Sequence, residues 1–172
     1  MPFKDLRLYR FRGARALVIL HERELRLFLP VWRRAREAGV RLPATDDPNY
    51  ASLSALLHHV LRAGRGYLTW MSEKLGLPDP GVDPAPPPGR VEKQAEGYLE
   101  HLLERWRAPL RDVEPARFEE QYTTRWGATL SIDSMLEHAV MHPIRHRFQL
   151  EELLEAAATP ERSRRGREKS SV

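Results

Sequence analysis

The sequence predicts an all-α fold, a four-helix bundle with long connections. Apolar residues recur with a period near 3.6 over four long segments. No segment sustains the period-two alternation of a half-buried strand. The segments are separated by proline- and glycine-rich stretches long enough to lie across an end of a bundle.

The first helix is expected from about Arg12 to Ala38, with Ala16, Leu17, Ile19, Leu20, Leu25, Leu27, Phe28, Val31 and Trp32 as core candidates. Pro30 lies inside it and removes one backbone donor, which predicts a kink. Gly39 is the expected stop. Residues 41–49 hold Pro43, Asp46, Asp47 and Pro48 and read as loop. A second helix runs from near Ser52 to Leu75 and ends at Gly76. Six prolines in residues 77–90 predict an extended linker. The third helix spans about Val91 to Ala108, with Tyr98, Leu99, Leu102, Leu103 and Trp106 on its apolar side. Between Phe118 and Leu130, the run Gln121-Tyr122-Thr123-Thr124-Arg125-Trp126-Gly127 has strand propensity and a turn-forming glycine, so a short extended piece is expected. Ser131 is the N-cap candidate for a fourth helix reaching about Ala157.

These elements fill one domain, residues 1–158. The tail, residues 159–172, carries three of the chain's four net positive charges and is expected to be disordered. The nearly neutral body has no nucleic-acid footprint, so no nucleic-acid partner is expected. No apolar run approaches the roughly 20 residues of a membrane span, and the N-terminus has no signal-peptide core. The expected location is the cytoplasm, with no membrane partner. Zero cysteines exclude disulfides, thiolate metal sites and a cysteine nucleophile. A transition metal would have to be held by His, Asp or Glu.

The chemistry concentrates in the fourth helix. His138, His142 and His146 stand four apart, and four-residue spacing stacks side chains along one side of a helix. At about 100° per residue, His142 and His146 point within about 40° of each other. They share a face with Met135, Ala139, Gln149 and Leu153. His138 falls at the edge of that face, as a third ligand or a supporting group. On the second helix, His59 shares its side with Leu56, Ala63, Gly66, Tyr67 and Trp70 and should point inward. His58 shares its side with Ser54, Arg62 and Arg65 and should point outward. His59, His142 and His146 then form a three-imidazole metal site with an open position, the arrangement of a catalytic centre. Gln149 is placed to hydrogen-bond an imidazole or a metal-bound water. His21 and His101, among charged neighbours, read as surface residues. Pro143 stands where a zinc protease would carry its glutamate, which sets peptide hydrolysis aside.

These residues resemble the DinB-like (YfiT-type) superfamily of four-helix bundles. The family's Leu-Leu-x-His segment is matched by Leu56-Leu57-His58-His59. Its late His-x-x-x-His-Arg-Gly-Gln segment is matched by His142-Pro143-Ile144-Arg145-His146-Arg147-Phe148-Gln149, and Trp126-Gly127 and the Ser131 helix start are also similar. The likeness extends over about residues 12–157. It implies a divalent metal, zinc or nickel, on His59, His142 and His146. It further implies thiol S-transfer with a low-molecular-weight thiol as co-substrate. Departures are Phe148 where glycine is usual, Pro143 where glutamate is common, and Arg62 and Gly64 where acids are frequent.

The expected function is therefore that of a divalent-metal-binding protein acting as a thiol S-transferase on a small molecule. The alternatives are a non-enzymatic metal-binding or stress-response module and a metal-dependent hydrolase. A second apolar stripe on the fourth helix, Val140, Ile144 and Phe148, makes a homodimer the expected assembly.

Overall fold

A computed structural model describes residues 8–168, with side chains as far as Ala158. It is a four-helix bundle: α1 (Arg12–Glu37), α2 (Leu53–Lys74), α3 (Pro88–Trp106) and α4 (Ile132–Glu168). A small hairpin of β1 (Gln121–Thr123) and β2 (Thr129–Ser131) precedes α4. Short 3-10 turns occupy Pro48–Tyr50 and Pro115–Glu119.

Local chemistry sets the boundaries. Ser52 caps α2, its Oγ accepting from the amide of Ala55. Ser131 Oγ accepts from the amide of Ser134 at the start of α4, the capping role its position predicts. Pro88 opens α3 at a position where a missing amide hydrogen costs nothing, three residues before the expected start. The extended piece is an antiparallel pair with Gln121 opposite Ser131 and Thr123 opposite Thr129. Its turn needs Gly127, at φ +85°.

The helices run up, down, down, up. Trp32 Nε1 donates to the carbonyl of Leu53, which puts the start of α2 beside the end of α1. Ser54 donates to Glu92, so α2 and α3 start at the same end. Phe11 packs on Phe118, and the amide of Ile132 donates to Glu120, so α1 and α4 both start at the other end. The core runs between the four helices through Leu25, Phe28, Leu57, Leu68, Leu102, Trp106, Met135 and Leu136, all essentially inaccessible. Gly64 lets α3 approach α2 closely. A Cβ there would meet Leu102 Cδ2 at 3.0 Å, and the Gly64 carbonyl accepts from Trp106 Nε1 at 3.0 Å.

Several expectations are corrected. On α1 the core face is turned: Ala16, Leu20 and Leu27 are exposed, while Ala14, Val18, His21, Glu22 and Glu24 are buried. The acids are tolerated because arginines from other helices reach them. Arg107 pairs with Glu22 at 2.8 Å and Arg147 with Glu24 at 3.2 Å. His21 is a core residue, stacked on Trp106 with ring centroids 4.0 Å apart. His58 is not solvent-facing: its Nδ1 donates to the carbonyl of Pro86 at 2.8 Å. His101 accepts from the amide of Asp83 and is half-buried. The proline-rich segment is thus a strap held across the polar side of α2 and α3. Val140 is buried, which reduces the second apolar stripe of α4 to half-buried Ile144 and exposed Phe148. The helix α4 is traced to Glu168, past the expected end near Ala157. The expected basic tail lies outside the residues whose side chains are described, and its last four positions lie outside the described residues altogether. Among the described residues, no helix is long and apolar enough to cross a membrane.

Candidate metal centre

Two antiparallel helices position the site. α2 supplies His59, and α4 supplies His142 and His146 one turn apart. One ring nitrogen from each of the three lies within 4.8 Å of the other two. His142 Nε2 and His59 Nε2 are 2.9 Å apart, close to the roughly 3 Å between two donor atoms sharing an ion at about 2.1 Å. A turn of about 1–2 Å in the remaining ring completes such a set. His142 and His146 are buried, and His59 is half-buried at the edge of a cavity.

The donor set suits a cation. Burial, reinforced by the neighbouring imidazoles, pushes His142 down to about 2. Burial likewise pushes His146 down to about 4. His59 is lowered too, first by burial and then by the charge of Arg62. All three rings are therefore neutral at pH 7 and offer lone pairs. His146 Nδ1 donates to Gln149 Oε1 at 2.9 Å, which leaves its lone pair on Nε2. That Nε2 is buried and has no hydrogen-bond partner among the described residues. A buried acceptor aimed at two neighbouring imidazoles is costly unless something fills the space between them. The three residues could hold a metal ion.

Tyr50, which sequence reasoning passed over, completes the support. Its Oη lies 3.4 Å from His146 Nδ1 and donates to Gln149 Oε1 at 3.5 Å. Asp47 caps the turn that carries it, accepting from the amide of Asn49 at 2.9 Å. The one available signal is the Asp47-Pro48 start of a turn just before α2. His138 does not join the cluster. It is exposed at the cavity mouth, its ring 5.3 Å from that of Tyr67 and 6.2 Å from that of Trp126. Burial, then the charge of Arg145, lowers its pKa. Gln149 takes the supporting position that its spacing predicts, on the imidazole and not on solvent.

A cavity of ≈ 670 Å³ opens beside the histidines. α2 contributes His59, Arg62, Arg65, Tyr67 and Trp70 to its wall, and α4 contributes Met135, His138, His142 and Arg145. The hairpin turn brings Arg125 and Trp126, and the turn before α2 brings Asp47 and Tyr50. Of the departures, Arg62 faces this cavity, Gly64 faces α1 and α3, and Phe148 lies on a neighbouring surface groove beneath the Arg147 guanidinium.

The family model described as the DinB superfamily matches residues 20–150, more than half of the chain. The chain belongs to the DinB superfamily. The matched span contains all three histidines and ends one residue after Gln149, so the candidate centre lies wholly within it. No curated protein and no solved structure matches the chain.

Proposed function

We propose that this DinB-superfamily chain binds zinc or nickel through His59, His142 and His146 and works as a thiol S-transferase, joining a low-molecular-weight thiol to a small electrophile. The supporting observation is the convergence of three neutral imidazoles on one point, with His146 Nε2 buried and unpartnered. When bound, the ion supplies a Lewis acid that favours the thiolate form of a thiol near neutral pH. The rest falls to the chain. Gln149 and Tyr50 hold the His146 tautomer. In this reading His138, at the mouth, accepts the thiol proton. Tyr67 and Trp70 shield one wall of the cavity from water.

Among the described residues, Asp47 is the one acid lining the cavity, and its Oδ1 already accepts from Asn49. A hydrolase would have to use His138 as its base for water, as thiol transfer uses it for the thiol, so conjugation measured beside hydrolysis separates the two. A cytoplasmic location and a homodimer through Ile144 and Phe148 belong to the same proposal; light scattering tests the dimer.

Elemental analysis of the purified protein, paired with conjugation of monobromobimane by a panel of low-molecular-weight thiols, tests the reading. The expected result is one ion per chain and conjugation that a chelator abolishes. Metal retained without conjugation of any thiol would favour the non-enzymatic binding module. Unchanged metal content in His142→Ala would sink the ligand assignment.

A further inference from the structure

Nine arginines away from the cavity are matched to carboxylates, while Arg12, Arg15, Arg34, Arg41, Arg90 and Arg105, spread over α1, α3 and the loop after α1, have no ion pair among the described residues. Arg26 pairs with Glu22 and Glu100, Arg107 with Glu22, Arg147 with Glu24 and Glu151, and Arg117 with Glu120. The four that line the cavity have no carboxylate partner among the described residues. Arg62 donates to the neutral Asn49 side chain at 3.3 Å. Arg65 donates through Nε to the carbonyl of Val82 at 2.9 Å, which leaves its two terminal amino groups without a partner. Arg125 and Arg145 line the cavity with no side-chain hydrogen bond or ion pair among the described residues.

The chain holds 24 acidic residues against 28 lysines and arginines, so carboxylates are not scarce, yet four guanidiniums on this wall meet one acid, Asp47, among the described residues. These guanidiniums come from α2, the hairpin turn and α4 and surround a concave space, where field lines concentrate and charge is worth more than on an open surface. Asp47 is the sole opposing charge on the wall among the described residues. The cavity, ≈ 670 Å³, lies in the range that takes one small molecule and not a duplex. Trp126 stands over the mouth with 58% of its surface exposed, a large apolar area left uncovered beside cations.

We infer that the cavity takes a small anionic substrate, one carrying a carboxylate or phosphate group held by the Arg125 and Arg145 guanidiniums and a flat apolar body laid against Trp126. Guanidinium forks pair with both kinds of oxyanion through two parallel hydrogen bonds. Binding there places the remainder of the molecule beside His59 and His142, and so rests on the metal-centre reading for where the reacting group sits.

The experiment is equilibrium titration of the full chain, loaded with zinc, with naphthoate, naphthyl phosphate and neutral naphthol. At least one anion is expected to bind about tenfold or more tightly than naphthol. The Arg125→Gln/Arg145→Gln double variant should lose about tenfold in affinity for that anion while naphthol and zinc content stay unchanged. Trp126→Ala should weaken all three ligands alike. Equal binding of the anions and naphthol, or an anion preference that survives in the double variant, would overturn the inference. So would displacement of the bound anion by duplex DNA at lower concentration than by free naphthyl phosphate. The same titration on His142→Ala separates the two readings. Preference kept with zinc lost leaves the anion site standing and the ligand assignment supported. Zinc kept in that variant removes the ligand assignment alone, and zinc bound to the parent chain without anion preference removes the anion site alone.

Discussion

Two places in this bundle bury histidine, and what surrounds the rings differs between them. At the α1–α3 crossing, His21 is fully enclosed against Trp106 and beside Gly64, and neither ring nitrogen has a partner among the described residues. Between α2 and α4, His142 and His146 are as deeply placed. Burial lowers the pKa strongly in both, to about 3 for His21 and about 2 for His142. Depth and a displaced pKa therefore do not mark a site. What separates the second place is convergence of lone pairs, a hydrogen bond behind one ring that fixes its tautomer, and a cavity within reach. His21 is alone, packed like an apolar ring, with no further donor beside it.

The largest effect expected from breaking this contrast is on metal content. His142→Ala should lower zinc affinity by several orders of magnitude, on the order of the loss of one ligand of three, whereas His21→Leu should leave it unchanged. Competition with a chromophoric chelator measures both. Next in size is Gln149→Leu, which frees His146 to rotate and to choose the other tautomer; affinity should fall about 10–100-fold, the usual cost of losing a ligand's supporting hydrogen bond. The third effect concerns acid stability. The folded-state pKa of His21 lies below its ordinary value, so it stays neutral in the fold while the unfolded chain binds a proton. Its contribution is fully present above about pH 6.5 and is lost as pH falls from there toward 3. In metal-free protein, His21→Leu should flatten the acid limb of the denaturation profile while changing stability at pH 7 by no more than about 1 kcal/mol. A limb as steep as the parent's would show that His21 is not the group titrating there. The smallest effect is for His138→Ala, whose ring stands outside the cluster: zinc affinity within about twofold of the parent, against the 10–100-fold assigned to Gln149.

The same contrast explains what was legible in the sequence. His59, His142 and His146 lie on long periodic helices, where spacing alone fixes direction; of the faces assigned to them, Ala63, Gly66, Tyr67 and Trp70 on α2 and Met135 on α4 line the cavity, while Leu56 and Ala139 are buried in the core. The caps at Ser52 and Ser131 are equally local and equally readable. His21 was illegible because its neighbours Glu22 and Glu24 look like a solvated face. Their burial depends on Arg107 and Arg147, which lie 85 and 123 residues away in sequence, and no local pattern records such a pairing. The strap between α2 and α3 misled in the same manner, since it covers the polar side of His58 through a backbone carbonyl that any residue could supply. Tyr50 sits in a turn with no periodicity to aim it.

The hairpin between Glu120 and α4 has a consequence for how this bundle can diversify. It is fastened at its base by the Ile132 amide on the Glu120 carbonyl, and its tip, Arg125-Trp126-Gly127, contributes nothing to the buried core. Yet that tip closes one side of the cavity. Arg125 and Trp126 can thus be exchanged, with Gly127 kept for the turn, without disturbing the helix packing. One side of the cavity wall is thereby separable from the scaffold, and a short cassette transplanted between bundles of this kind would change that side while the wall supplied by α2 and α4 stays fixed.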